Sequence, residues 1–180
     1  KKLWSDNGKK ASADGTKMHN DIERYYNDQS VENDTIEYNQ YFMKFADDHK
    51  HLTPYRTEWM IYDKELKFAG SMDMTYINDD GTVSIYDWKR CKKIEKANGF
   101  GQFSTNEIIE DFPDSNYWHY SLQLNTYASI IERNYSLKVK DLYIVCLHPD
   151  NQNKSYLKFK VPDLRDKVAL LFEERDKNIK

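Results

Sequence analysis

Two carboxylates and an ammonium stand out by type and spacing: Asp73 in "GSMDMTY", and Asp87 and Lys89 in "SIYDWKR". The residues around them alternate as strands do, and "NDDG", Asn78 to Gly81, has the composition of a tight hairpin turn. Folding back about that turn sets Asp73 close to the level of Asp87. Two carboxylates at one point repel unless a cation lies between them, and oxygen ligands suit hard divalent ions such as Mg²⁺ and Mn²⁺. Strand side chains alternate with a period of two, so Lys89 shares the face of Asp87, placed to touch a phosphate or the water that attacks it. Arg90, Lys92, Lys93 and Lys96 follow, opposed only by Glu95. Taken singly, an Asp-x-Lys triplet is an ordinary exposed pair and a basic run an ordinary solvated loop.

The elements that must position these groups follow from periodicity. "DGTKMHNDIERYYND" predicts a helix capped by Asp14 or Thr16, with Met18, Ile22, Tyr25 and Tyr26 at helical spacing and His19 aboard. "IEYNQYFMKFADDHK" predicts a second helix whose apolar face is Ile36, Tyr41, Phe42 and Phe45, with Pro54 closing the connection after it. "YRTEWMIYD" is a strand carrying Glu58, ahead of the hairpin strands "KFAGSMDMTYIN" and "GTVSIYDWKR". "SNYWHYSLQLNTYASIIERNY" is a helix with a buried stripe of Leu122, Tyr127, Ile130 and Ile131. Gln123 and Tyr127 stand at i and i+4 on one of its faces. "KDLYIVCLHP" reads as a buried strand and "SYLKFKV" as an alternating edge strand. "PDLRDKVALLFEERDKNIK" closes the chain as an amphipathic helix with Pro162 at or just before its start. Helices before, between and after a small mixed sheet predict an α/β or α+β domain. Residues 1–15, rich in Gly, Lys and Ser, are expected to be a flexible lead, and 16–180 a single domain.

Composition narrows the class. Of 180 residues, 39% are hydrophobic, 32% charged and 14% aromatic, with 14 tyrosines, so aromatic rings supply much of the burial. No apolar run approaches the roughly 20 residues of a membrane span, and the start lacks the apolar core of a signal peptide. Cys91 and Cys146 are the only cysteines, which excludes a four-cysteine zinc or iron–sulfur site. An intracellular domain, excised from or belonging to a larger polypeptide or complex, is the expectation. The net charge of −3 speaks against a non-specific nucleic-acid coat, but acidic ligands can offset a local basic stripe.

In chain order, "GTKMH", "TEW", "GSMD", "DWK" and "QLNTY" span Gly15 to Tyr127. This ordered set resembles the RecB-type branch of the PD-(D/E)XK nuclease superfamily, whose signature is a helix His, a strand Glu, a Gly-x-x-Asp strand, an (Asp/Glu)-x-Lys strand and a Gln-x-x-x-Tyr helix. The resemblance implies a restriction-endonuclease-like core in which helices flank a small mixed sheet. It also implies a Mg²⁺- or Mn²⁺-dependent deoxyribonuclease, an exonuclease or end-processing enzyme, acting on DNA more readily than RNA. Asp73 and Asp87 would bind the metal together with the Trp88 carbonyl and His19, whose nitrogen favours Mn²⁺, and Lys89 would orient or activate water and stabilise the phosphate. Glu58 would bind a second metal or support the site. Gln123 and Tyr127 would contact the nucleic-acid strand, with Arg90, Lys92 and Lys93 on its phosphates; Tyr127 also fits a plain core position, and His19 a packed helix face. Phe100, Phe103, Tyr117, Trp118 and Tyr120 are candidates for stacking on bases.

Several features depart from the pattern. Met72 stands where the superfamily's name has Pro, and Arg90 where Thr or Ser is frequent. The missing cysteines point to the cluster-free exonucleases of the phage lambda and mitochondrial genome-maintenance types. "YRTEW" and "SNYWHYSLQLN" also resemble nuclease domains of large DNA viruses. The rival readings are an RNA endonuclease of the viral cap-snatching type and a nucleic-acid-binding module without turnover.

Overall fold

The computed structural model describes residues 2–32 and 34–179. Helix α1 spans Lys2–Tyr26, and a π-helical turn at Glu37–Phe42 runs directly into α2, Met43–Asp48. Strands β1 (Thr53–Asp63), β2 (Phe68–Ile77) and β3 (Val83–Lys89) follow. A long connection with one 3₁₀ turn leads to α3 (Asn116–Asn134), then β4 (Val139–Cys146), β5 (Leu157–Lys160) and α4 (Arg165–Ile179). The strands form one sheet in the order β1-β2-β3-β4-β5. Only β3 and β4 are parallel, because only they are joined by a crossover long enough to hold a helix. The result is a mixed α/β domain, a five-stranded sheet with four α-helices about it, as in a restriction-endonuclease-like core.

Each face of the sheet has its own apolar cluster. On one, α3 lays Leu124, Tyr127, Ala128, Ile130 and Ile131 against Ile61, Met72, Val83, Ile85, Leu142 and Ile144. On the other, Met18 and Ile22 of α1 join Tyr38, Tyr41, Phe42 and Phe45 over Met74, Tyr76, Tyr86 and Trp88. Burial of these aliphatic and aromatic side chains is the main favourable contribution to the fold.

Several boundaries differ from expectation. The helical path of α1 extends back to Lys2 instead of starting at Asp14 or Thr16; Lys9 to Ala13 are adequate helix formers and no Pro interrupts them. Lys1 lies outside the described residues. Ile36 is 44% exposed, and Tyr38 takes its place in the core, because Tyr38, Tyr41, Phe42 and Phe45 stand at i, i+3, i+4 and i+7 and Ile36 falls off that stripe. Pro54 sits inside β1, at an edge-strand position where its missing N–H costs nothing, next to a register shift between Pro54 and Arg56. In α3, Leu124 and not Leu122 is buried. Among the described residues, no helix is long and apolar enough to cross a membrane.

Candidate active site

The sheet forks at the hairpin. β2 and β3 pair from Met74↔Tyr86 to Ile77↔Val83. Beyond that point β2 continues with β1, and β3 with β4, through Asp87↔Ile144 and Lys89↔Cys146. Asp73 and Asp87 are the first residues past the last rung. Asp73 spans the gap: its Oδ2 accepts the Trp88 backbone N–H at 2.7 Å. The Lys89 carbonyl accepts from Leu147, the residue just past β4, so by alternation the Trp88 amide and carbonyl face the gap.

The same level is irregular in β1. Glu58 has φ 41°, a left-handed backbone that costs a non-glycine residue about 1–3 kcal/mol. Met74 packs beneath α1, whereas Met72, opposite Trp59, packs beneath α3. The hairpin therefore changes face at Glu58 and Asp73, and both carboxylates turn toward α1. There His19 waits, its Nδ1 3.6 Å from Glu58 Oε1 and 3.5 Å from Asp73 Oδ1. Ser71 Oγ donates to the other Glu58 oxygen at 3.2 Å. Ligand atoms of His19, Glu58 and Asp73 all lie within 4.8 Å of one another, a spacing and donor set that fit one divalent cation.

Asp87 stands outside that triplet. The expected gathering of Asp73, Asp87 and His19 is therefore met by Asp73 and His19, with Glu58 as the third member. Asp87 is buried, and its Oδ2 lies 2.6 Å from Lys89 Nζ. With two carboxylates at the fork, Lys89 neutralises the one it can reach. Burial, reinforced by the Asp73 charge, pushes the Asp87 carboxyl up to about 7, although Lys89 and His19 oppose the shift. Burial acts on His19 in the opposite sense, but the nearby carboxylates of Asp73 and Glu58 prevail and hold the imidazole up to about 10.

The helix groups take different parts. Gln123 is exposed and donates to the Tyr127 hydroxyl at 3.0 Å. Tyr127 is a core residue, lying over Gly70 so closely that a Cβ there would stand 2.5 Å from its Cε1. The glycine of "GSMD" is what lets this ring reach the sheet. Arg90 is engaged within the fold: its Nε meets Glu37 Oε1 at 2.6 Å and its terminal nitrogen Asp14 Oδ2 at 3.1 Å. This pairing ties the end of β3 to α1 and the π turn, and it explains how Glu37 can be buried. Lys92 pairs with Asp150 at the surface, and Lys93 is exposed. Phe100 is 91% exposed on its loop, while Trp118 stacks on Phe112.

Tyr120 is among the rings expected to stack on bases. Its face instead meets Lys89 Nζ, 4.7 Å from the ring centroid. The available signal was its position three residues before Gln123 and seven before Tyr127, on one stripe of α3.

No family model matches this chain, and no curated protein matches it. Among solved structures, a protein from Eubacterium rectale named "Putative exonuclease" aligns with a TM-score of 0.44 at 17% identity, over 80% of this chain and 47% of its own. The protein SSO0001 aligns with a TM-score of 0.38 at 14% identity, over 77% of this chain and 56% of its own. This chain thus spans about half the length of each.

Proposed function

We propose that this chain is a Mg²⁺- or Mn²⁺-dependent nuclease of the PD-(D/E)XK type, RecB-like and without an iron–sulfur cluster, which hydrolyses DNA phosphodiester bonds as an exonuclease or end-processing enzyme. The observation that carries the reading is the juxtaposition at the fork. A His–Glu–Asp triplet fit for a divalent ion stands one strand away from Lys89 and its buried partner Asp87.

His19, Glu58 and Asp73 would hold the ion, with the Trp88 carbonyl facing the same gap. When bound, it would supply Lewis-acid polarisation of a phosphate oxygen and lower the pKa of water. The chain's own groups do the rest. Lys89 presents a cation to charge developing on the phosphate, in a partly buried site where that charge is worth more than in water. Asp87 fixes the direction of the Lys89 side chain. Asp73 holds the two arms of the fork together through the Trp88 amide. Lys93 and Gln123 lie exposed on the segments flanking the site, where a nucleic-acid backbone would pass.

End-labelled single- and double-stranded DNA, with labelled RNA alongside, incubated with Mn²⁺, Mg²⁺ or EDTA, tests the reading. Metal-dependent cleavage of DNA that is lost in Asp73→Ala and Lys89→Ala is the expected result. Cleavage that persists in EDTA or in both variants excludes it. Preferential cleavage of RNA favours the endonuclease reading, and binding without cleavage in any metal favours a module without turnover.

A further inference from the structure

The contact between Lys89 and Tyr120 lies outside the ordered motifs, and it bears on how Lys89 is aimed. Lysine is a poor choice for a precisely directed charge, because its ammonium sits on a flexible four-carbon stem. Lys89 is nevertheless confined. Its side chain is 19% exposed, with Asp87 Oδ2 at 2.6 Å on one side and the Tyr120 ring centroid at 4.7 Å on another. The ring is half-buried at the α3 surface, one helical turn before Gln123 and two before Tyr127. Tyr127 is locked over Gly70, so the register of α3 against the sheet, and with it the place of Tyr120, is set by close packing. Among the described residues, the Tyr120 hydroxyl has no hydrogen-bond partner.

The geometry points to Tyr120 as a positioning residue for Lys89, acting through the face of its ring and not through its hydroxyl. An ammonium has three N–H donors. Asp87 draws the ammonium to one side as an ion pair and the electron-rich ring face attracts it from another, which leaves the remaining side of the ammonium open to a phosphate oxygen. A second carboxylate in place of the ring would hold the side chain equally well but cancel the charge that the phosphate needs. The catalytic part of this inference rests on the nuclease reading; the Tyr120–Lys89 contact does not.

Two measurements test it separately. In metal-free protein carrying ¹³C-labelled lysine, the Lys89 Hε signal, assigned by its loss in Lys89→Arg, is expected upfield of lysines that face no ring, such as the exposed Lys93, through the ring current of Tyr120. Tyr120→Phe keeps that shift, and Tyr120→Leu returns the signal to the position of those ring-free lysines. A wild-type Lys89 signal already at that position overturns the inference, whether or not the protein cleaves anything. In steady-state cleavage of DNA with Mn²⁺, Tyr120→Leu is expected to lower kcat about 10-fold or more, with KM within about threefold of wild type and Tyr120→Phe restoring most of kcat. Tyr120→Phe as impaired as Tyr120→Leu, or unchanged kcat in Tyr120→Leu, overturns it. Should Tyr120→Leu melt early, Tyr120→Met serves as the variant without a ring. Absence of any hydrolysis by the wild type overturns the nuclease reading, while the NMR shift still decides the contact.

Discussion

Asp73 accepts the Trp88 amide at 2.7 Å, so a side chain holds β2 and β3 together at the level where their backbone ladder stops. Its other oxygen turns to His19. One residue thus both closes the fork and opens the cluster at its mouth.

That cluster predicts metal binding without substrate. Calorimetric titration of Mn²⁺ should show one site formed by His19, Glu58 and Asp73. Removing any one ligand, as in His19→Ala or Asp73→Ala, should weaken binding by about 10-fold or more, whereas Asp87→Asn, outside the triplet, should weaken it less. Equal losses in all the variants would mean that Asp87 is a direct ligand.

Arg90 is predicted to support the fold and not to contact phosphates. Its partner Glu37 is buried, so Arg90→Met leaves a carboxylate uncompensated and should destabilise the domain by about 3 kcal/mol in denaturant unfolding. Arg90→Lys should recover little, since one ammonium cannot bridge Glu37 and Asp14 as the guanidinium does. Where the folded variant is tested, its affinity for DNA should match wild type. A tenfold weaker affinity with intact stability would restore Arg90 to the substrate surface.

Gly70 and Tyr127 are predicted to be coupled. A methyl group at Gly70 meets the Tyr127 ring at 2.5–2.9 Å, so Gly70→Ala should cost about 1–3 kcal/mol. In a Tyr127→Leu background most of that cost should vanish, a coupling that a double-mutant cycle measures directly. Additive costs would show that the glycine serves the backbone and not the ring.

His49 predicts a pH dependence apart from the site. Its ring stacks on Phe45, Nδ1 meets the Phe45 carbonyl at 2.8 Å, and Nε2 lies 2.7 Å from Lys158 Nζ. Burial first, with the Lys158 charge adding, lowers its pKa despite the carbonyl bond. The folded state thus prefers the neutral ring. Its contribution is complete above the ordinary value of 6.5 and is lost as pH falls through the depressed folded value. Thermal unfolding from pH 8 to 5 should show wild type losing more stability than His49→Phe. Parallel curves would refute the assignment.

Much of the architecture is legible in residue order alone. Strand alternation around "NDDG" set the hairpin and brought Asp73 level with Asp87, and helical spacing foretold α3 and α4, because local periodicity and turn chemistry are properties of neighbouring residues. Asp87 and Lys89 share a face for the same reason. Contacts between distant segments had no such signal. Whether Glu58 or Asp87 would join His19 depended on the left-handed backbone at Glu58 and on where the ladder opens. Arg90 found Glu37 and Asp14, and Tyr120 found Lys89, because α1, the π turn and α3 dock on opposite faces of the sheet. Charges and rings choose partners by distance in space, and that distance exists only once the layers have packed.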